Sequence, residues 1–412
     1  MTALVQADAL RLLLADDSVD LVVTSPPYFA LRSYRDGDEH YDGQIGSEAS
    51  PQDFLEALWA ATVEMVRVVK PSGSIFVNLG DKYSGVNPGS YRRHTQPMDG
   101  GTGYHAQAAA SEAEADHRPG WGGVRQKSLM GLPWRYAIGC IDDLGLILRS
   151  EIVWSKPNGL PESVTDRVRR SHEQWFHFTL EPRYFSAIDE IREPYAPETL
   201  VDYESRGNTG WSLAPERKIN NSVDSNRSAN PLGKLPGSVW SIPSEPLQVP
   251  DHLGVDHFAA FPQEWPRRLI LGWCPQEVCS ECGEGRAPVV EKELELDHYS
   301  THAKTHRGVA DDNGVRTARG SASDNVSRTV ATITGYACAC DDTTAPSTPG
   351  VVLDPFAGTG TTVMVARALG RTGIGVDLSA DYLRLADWRV FHSGHAAKTM
   401  RRTNAERQGT LL

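Results

Sequence analysis

An α/β fold built on an open sheet is predicted by three observations. Two β-branched apolar runs, Leu21-Val22-Val23 and Val351-Val352-Leu353, read as strands buried on both faces. Each run ends in a segment dense with turn residues. Thr24-Ser25-Pro26-Pro27-Tyr28 follows the first, and Asp354-Pro355-Phe356-Ala357-Gly358-Thr359-Gly360-Thr361-Thr362 follows the second. Helical periods alternate with such runs along the chain. Open α/β sheets bind ligands beyond the carboxyl ends of their strands, so both segments are candidate site loops.

In chain order, residues 2–28 read as strand, helix, strand. Asp8 would cap a short helix with Leu10, Leu13 and Leu14 on one face, and Asp20 precedes the strand 21–24. Residues 51–70 carry a helical period in Phe54, Leu55, Leu58, Trp59, Thr62, Met65, Val66 and Val69. Lys70-Pro71-Ser72-Gly73 should stop that helix and turn into a strand over 74–79, closed by Gly80-Asp81. Residues 83–128 lose periodicity and read as a long mobile loop beside the site. A helix over 129–144 and a strand over 147–154 follow, then the turn-rich Ser155-Lys156-Pro157-Asn158-Gly159-Leu160-Pro161. Residues 173–180 and 184–186 read as a hairpin closing the sheet. Residues 187–237 are polar and Asn/Ser-rich, and 253–273 become apolar again. The strand 351–353, a helix over 361–369, a strand over 373–377 and a helix over 381–389 complete the pattern before a polar tail.

The two loop segments together resemble those of the amino-group DNA methyltransferases. That family carries Ser/Asn/Asp-Pro-Pro-Tyr/Phe/Trp as its catalytic motif and Asp-x-Phe-x-Gly-x-Gly as its cofactor motif. The catalytic segment here precedes the cofactor segment by about 330 residues, an order that resembles the circularly permuted beta class. The resemblance implies a Rossmann-like AdoMet-dependent methyltransferase sheet, circularly permuted, with a polar target-recognition insert and a zinc-knuckle insertion. It divides the chain into a catalytic half (1–186, with the loop 83–128), a target-recognition region (187–237) and a cofactor-contacting element (238–273). A zinc-binding insertion (274–349), an AdoMet-binding half (350–395) and a polar tail (396–412) follow. A disordered insert is the other reading of 187–237.

Site roles come from the same resemblance. Ser25, Pro26, Pro27 and Tyr28 form the catalytic corner. Ser25 Oγ and the Pro26 carbonyl accept the hydrogens of an exocyclic amino group, and Tyr28 stacks on an extruded base. The cofactor S-adenosylmethionine (AdoMet) falls to Asp8, Asp354, Phe356, Gly358, Gly360, Thr361 and Asp377. His257-Phe258-Ala259-Ala260-Phe261-Pro262 resembles the family's His-x-Ala-x-Phe-Pro element, which adds His257, Phe261 and Pro262. Asp377 lies 23 residues after Asp354, near the offset at which an acid meets ribose hydroxyls in dinucleotide folds. For each aspartate, capping the following helix is the other reading.

Cysteines predict a second module. Cys279-Ser280-Glu281-Cys282-Gly283 has knuckle spacing, and Cys338-Ala339-Cys340 supplies a second, tighter pair. Four thiolates suit a structural zinc. The 55 intervening residues exceed the usual gap, and free cysteines are the alternative.

Composition sets the outer bounds. The 412 residues suffice for a full α/β core with smaller modules, and 40% hydrophobic with 23% charged residues is ordinary for a soluble protein. No apolar run is long enough to span a membrane and no signal pattern opens the chain, so cytoplasmic residence is expected. A net charge of −12 argues against coating DNA non-specifically but allows a local basic cleft. The family resemblance implies double-stranded DNA as the partner, with a cognate restriction endonuclease as a second. Ser at the first catalytic position resembles the cytosine-N4 enzymes of that family, which implies cytosine N4 as the target, with adenine N6 as the alternative. The rivals are an inactive DNA-binding protein of the same fold and a methyltransferase acting on RNA or protein glutamine.

Overall fold

The structure is a computed structural model that describes residues 2–30, 35–36, 39–40, 44–84, 124–159, 161–196, 230–247, 249, 253, 260–297, 326–340, 344–392 and 394. Most of the expected loop 83–128, most of the target-recognition region, His257 and the polar tail lie outside these residues. The described residues cluster into two compact units. One comprises 1–187, 237–287 and 338–412; the other comprises 188–236 and 288–337.

The first unit contains an eight-stranded sheet. In chain order its strands are β1 (Ala3–Gln6), β2 (Val19–Thr24), β3 (Val69–Leu79), β4 (Ile147–Ser155), β5 (His172–Thr179) and β6 (Val239–Ser241). The pair β7 (Glu277–Cys279) and β10 (Ser347–Pro349) stands apart, and β11 (Val351–Asp354) and β12 (Thr372–Asp377) complete the sheet. Its spatial order is β1-β12-β11-β2-β3-β5-β4-β6. The first five strands run parallel, β5 runs antiparallel to both β3 and β4, and β6 is parallel to β4.

Counted from β11 through β12 to β1, successive strands step outward in one direction. From β2 to β3 they step outward in the other. The direction therefore reverses between β11 and β2, and the crevice at such a switch point is where α/β sheets bind ligands. Both site segments leave the sheet there. The permuted order of the two motifs is written into this topology.

Helix α1 (Pro51–Val68) forms because Ser50 Oγ accepts the Asp53 N–H at 3.1 Å and Pro51 pre-sets the first turn. It buries Phe54, Leu55, Leu58, Ala61, Thr62, Met65 and Val68 against the sheet. Helix α2 (Leu132–Asp142) takes its cap from a distance. Both Asp81 carboxylate oxygens accept backbone hydrogens, from Gly131 at 2.9 Å and Leu132 at 3.1 Å. Helices α3 (Glu264–Trp273), α4 (Thr361–Ala368) and α5 (Ala380–Asp387) complete the unit.

Three expectations are corrected. Residues 8–14 form turns instead of a helix, because α1 side chains take the backbone groups that a helix would pair. Arg67 donates to the carbonyls of Leu12 and Leu14, and Glu64 accepts the Leu12 N–H. Leu13 is accordingly 73% exposed while Leu12 is buried. Strand β3 begins at Val69, taking up Lys70-Pro71-Ser72-Gly73 as a register shift against β2. Residues 184–186 are no strand: β5 pairs with β3 and β4, and Tyr184 instead sets its ring against His177.

The second unit holds the 3₁₀ turn Ile188–Ile191 and the paired strands β8 (Ala287–Asp297) and β9 (Val326–Ala337). The Tyr336 hydroxyl bonds Glu190, and Glu193 exchanges backbone hydrogen bonds with Lys234. The unit thus joins two segments far apart in sequence.

Candidate active site

A cavity of about 600 Å³ opens at the switch point. It is lined from one side by the loop after β2 and from the other by the loops after β11 and β12. Of the expected site residues, Ser25, Pro26, Pro27, Tyr28, Asp8, Phe261, Phe356, Gly358, Thr361 and Asp377 line it. Asp354, Gly360 and Pro262 are not among its lining residues, and His257 lies outside the described residues.

The wall formed by β11 and β12 is shaped by Asp377. Its Oδ2 accepts the Gly358 N–H at 2.7 Å and its Oδ1 accepts the Ser379 N–H at 2.9 Å. One carboxylate thereby fixes the glycine turn against the next strand. Gly358 has φ +48°, and a Cβ built there meets nothing nearer than the Phe356 carbonyl at 4.0 Å. The position is tight in backbone conformation but open towards the cavity. Gly360 (φ +72°) is the reverse, since a Cβ there would sit 2.9 Å from Ala386 Cβ on α5. It caps α4 and lets that helix pack closely. Beneath the loop, buried Arg389 donates to the Thr359 carbonyl at 2.8 Å and to Thr361 Oγ1 at 2.9 Å. Burial lowers its guanidinium to about 10, opposed by Glu245, so the cation persists at neutral pH.

Asp354 is 1% exposed and occupied by protein. Its Oδ1 accepts from Thr24 Oγ1 at 2.7 Å and from the Phe356 N–H, and its Oδ2 accepts from Thr362 Oγ1 at 2.8 Å. It therefore ties β2, β11 and α4 together, 330 residues apart in the case of Thr24. Burial raises its carboxyl from 3.8 to about 6, with the three hydrogen bonds opposing. A raised acid contributes stability that is full below its unfolded pKa and is lost as pH rises through the folded one. Two pKa units correspond to about 3 kcal/mol. The unfolding free energy of wild type relative to D354N should therefore fall by up to about 3 kcal/mol between pH 4 and pH 8. Urea titrations across that range check this, and a constant difference would contradict it.

Asp8 closes a turn by accepting the Leu10 N–H at 2.9 Å and lines the cavity.

The opposite wall is a hydrogen-bonded chain. Ser25 Oγ donates to Asn78 Oδ1 at 3.2 Å, and Tyr28 OH reaches the same oxygen at 2.8 Å. Asn78 Nδ2 donates to the Gln174 carbonyl, which fixes the amide orientation. Tyr28 OH also lies 2.9 Å from Glu173 Oε2, its single hydrogen serving one of the two acceptors at a time, and Glu173 Oε1 accepts from Lys156 Nζ at 2.5 Å. Burial and the Glu173 carboxylate push the phenol well above its ordinary value, so Tyr28 stays neutral. With its hydrogen given to Asn78, Ser25 Oγ keeps lone pairs to accept hydrogens from a ligand. Asn78, Trp154, Lys156 and Glu173 all line the cavity and were missed in the sequence. The available signals were a polar Asn78 directly after the apolar run Ile75–Val77, a lysine inside the turn-rich loop and a glutamate at the start of the strand that follows.

The four cysteines come together as expected. Their sulfur atoms all lie within 4.8 Å of one another, with Cys279 and Cys340 at 3.8 Å. Sulfurs around a tetrahedral metal with bonds of about 2.3 Å stand about 3.8 Å apart, so the donor set fits such an ion. Backbone N–H groups of Cys282 and Glu281 point at Cys279 and lower its thiol to about 7. Cys140 and Cys274 are buried elsewhere, and burial raises both thiols to about 12, as inert core cysteines require.

With this geometry established, the known proteins that resemble the chain are informative. The sequence pattern described as DNA methylase, for N6 and N4 methyltransferases, matches residues 19–278 and 343–387. The chain belongs to the N6/N4 DNA methylase family. The Type II methyltransferase M.XycI of Xanthomonas campestris pv. cyanopsidis is 43% identical over 197 residues, 47% of this chain and 59% of that protein. The Type II methyltransferase M.Cfr9I of Citrobacter freundii is 40% identical over 270 residues, 65% of this chain and 71% of the relative. Among solved structures, PvuII DNA methyltransferase (cytosine-N4-specific) aligns over 99% of this chain and 93% of its own, with a TM-score of 0.50 and 15% identity. That likeness shows the methylase fold. The family match skips residues 279–342, which contain all four cysteines and the β8–β9 ribbon. Among the described residues of this DNA methylase, no helix is long and apolar enough to cross a membrane.

Proposed function

We propose that this DNA methylase transfers the methyl group of AdoMet to the exocyclic N4 of a cytosine extruded from double-stranded DNA. One observation carries the reading. The fold brings Ser25-Pro-Pro-Tyr28 and the Gly358 turn to facing walls of a single cavity. AdoMet supplies a methyl group on a sulfonium, which is electrophilic without further activation.

The residues then have to bind, aim and exclude water. Gly358, Phe356 and Thr361 offer a close-packed wall for the methionine end, and Asp8 and Asp377 offer carboxylate oxygens to ribose hydroxyls or the adenine amino group. Ser25 Oγ and the Pro26 carbonyl accept the two amino hydrogens of the base. That pulls the nitrogen lone pair out of conjugation and towards the methyl. A new N–C bond forms as the S–C bond breaks, its electron pair staying on sulfur, and one amino proton then leaves to water. Alignment for this in-line attack supplies most of the acceleration. The rigid Pro26-Pro27 corner holds Ser25 and the Tyr28 ring ready for a planar base, which lowers the entropy lost on binding. The aligning groups are neutral acceptors, and a serine at the first position, as in the cytosine-N4 enzymes that this motif resembles, favours cytosine.

Transfer of a labelled methyl from AdoMet into duplex DNA tests the reading. Binding of DNA without transfer would support the inactive alternative.

The four-cysteine cluster is proposed to hold a structural zinc, on the donor set and sulfur spacing above. Purified protein should contain about one zinc per chain, and C279S should lower that content. Metal analysis finding none in protein prepared without chelators would contradict it. The cluster lies outside the cavity lining, so AdoMet binding should survive the substitution.

A further inference from the structure

A lysine and a glutamate form an ion pair inside the base-side wall, where methyl transfer itself requires neither charge. Lys156 and Glu173 approach at 2.5 Å, with side chains 24% and 17% exposed, and both line the cavity. Partly burying two charges costs desolvation free energy, and the attraction between them returns little net stability. Neutral side chains would fill the space at lower cost.

The pair is also held rigidly. Lys156 Nζ sits 4.1 Å over the Trp154 ring, and Glu173 is fixed at its second oxygen by Tyr28 OH. An ammonium has three hydrogens, and Glu173 uses one. The chain Ser25, Asn78, Tyr28, Glu173, Lys156 thus leads continuously from an acceptor of amino hydrogens to a donor cation. A cytosine presents the complementary series along one edge: amino group, N3 acceptor, O2 acceptor. Adenine presents an amino group and the N1 acceptor, then only a C–H.

We infer that Lys156, oriented by Glu173, is a specificity-determining residue that donates a hydrogen bond to the O2 edge of the target cytosine. This rests on the cytosine-N4 reading. Glu173 is a positioning residue: its charge keeps the ammonium in place, and it offers nothing to the acceptors N3 and O2.

The test pairs a side-chain change with a base change. Wild type and K156M are assayed on duplexes carrying cytosine, or a 2-aminopyridine C-nucleoside, at the target position. The analogue keeps the amino group and adjacent ring nitrogen but lacks O2. Removing either partner of a charged hydrogen bond should lower kcat/KM about 10- to 100-fold. The two changes together should cost no more than one alone, while AdoMet affinity by calorimetry stays within about twofold. K156R should recover part of the loss on cytosine and none on the analogue. The double variant K156M/E173Q, which leaves no unpaired carboxylate, should be equally indifferent to O2.

If K156M and the double variant lose the same factor on both bases, the lysine is merely structural and the inference is overturned. Unchanged kcat/KM in K156M overturns it as well. A wild-type enzyme that methylates adenine alone would instead overturn the cytosine reading itself, a separate and recognisable result.

Discussion

Gly358→Val is expected to abolish AdoMet binding, lowering affinity at least 100-fold by calorimetry while leaving the far-ultraviolet spectrum unchanged. Two effects add. The φ of +48° lies in the left-handed region, where a β-branched residue is strained. An isopropyl group at this position also projects into the cavity that the cofactor would fill. Packing gives no reason for unfolding, because a Cβ at 358 meets no protein atom closer than 4.0 Å. Gly360→Val is the informative contrast. Its Cβ would collide with Ala386 on α5, so destabilisation should precede any binding defect. Equal AdoMet affinity in G358V and wild type would remove this loop from the cofactor site.

Ser25→Ala should give the second large effect. The hydroxyl stands at the end of the hydrogen-bonded wall, 3.2 Å from Asn78, and Asn78 stays anchored by its bond to the Gln174 carbonyl, so folding and AdoMet affinity should be retained. What is lost is one acceptor aligned on the amino hydrogen in the transition state. Removing one such preorganised group typically costs about 100- to 1000-fold in kcat. Single-turnover rates with saturating AdoMet measure it, and a fall confined to KM would show that Ser25 only binds the base.

Much of the sheet was legible in the sequence because buried parallel strands are almost wholly apolar, as β2 and β11 are. Helix α1 was legible for a related reason: its cap, its Pro51 and its apolar period all agree. Residues 8–14 were not legible, since a good local period there loses to Arg67 and Glu64 reaching in from α1. Propensity is a weak prior when tertiary contacts compete for the same backbone groups.

In the site, the two loop segments could be found because each follows a strand and carries residues that shape a rigid turn. The role of Asp354 could not. A carboxylate at a strand end reads the same in sequence whether it faces a ligand or, as here, Thr24 and Thr362. Lys156 and Glu173 were hidden for another reason. They face each other only because β4 and β5 pair, with Ser155 opposite His172. The cysteines, by contrast, signalled a cluster through two close pairs in the sequence, and although 55 residues separate the pairs, more than the usual gap, their sulfurs converge.

The cytosine-N4 assignment is the central claim, and the chemical identity of the methylated base tests it most directly. Duplex DNA methylated by the purified protein should be digested to nucleosides and resolved by mass spectrometry against both standards. N4-methylcytosine as the product, formed about 100- to 1000-fold more slowly when Ser25 is replaced by alanine, is the expected result. N6-methyladenine as the sole product would contradict the assignment while leaving the cavity and its two walls as the site of transfer.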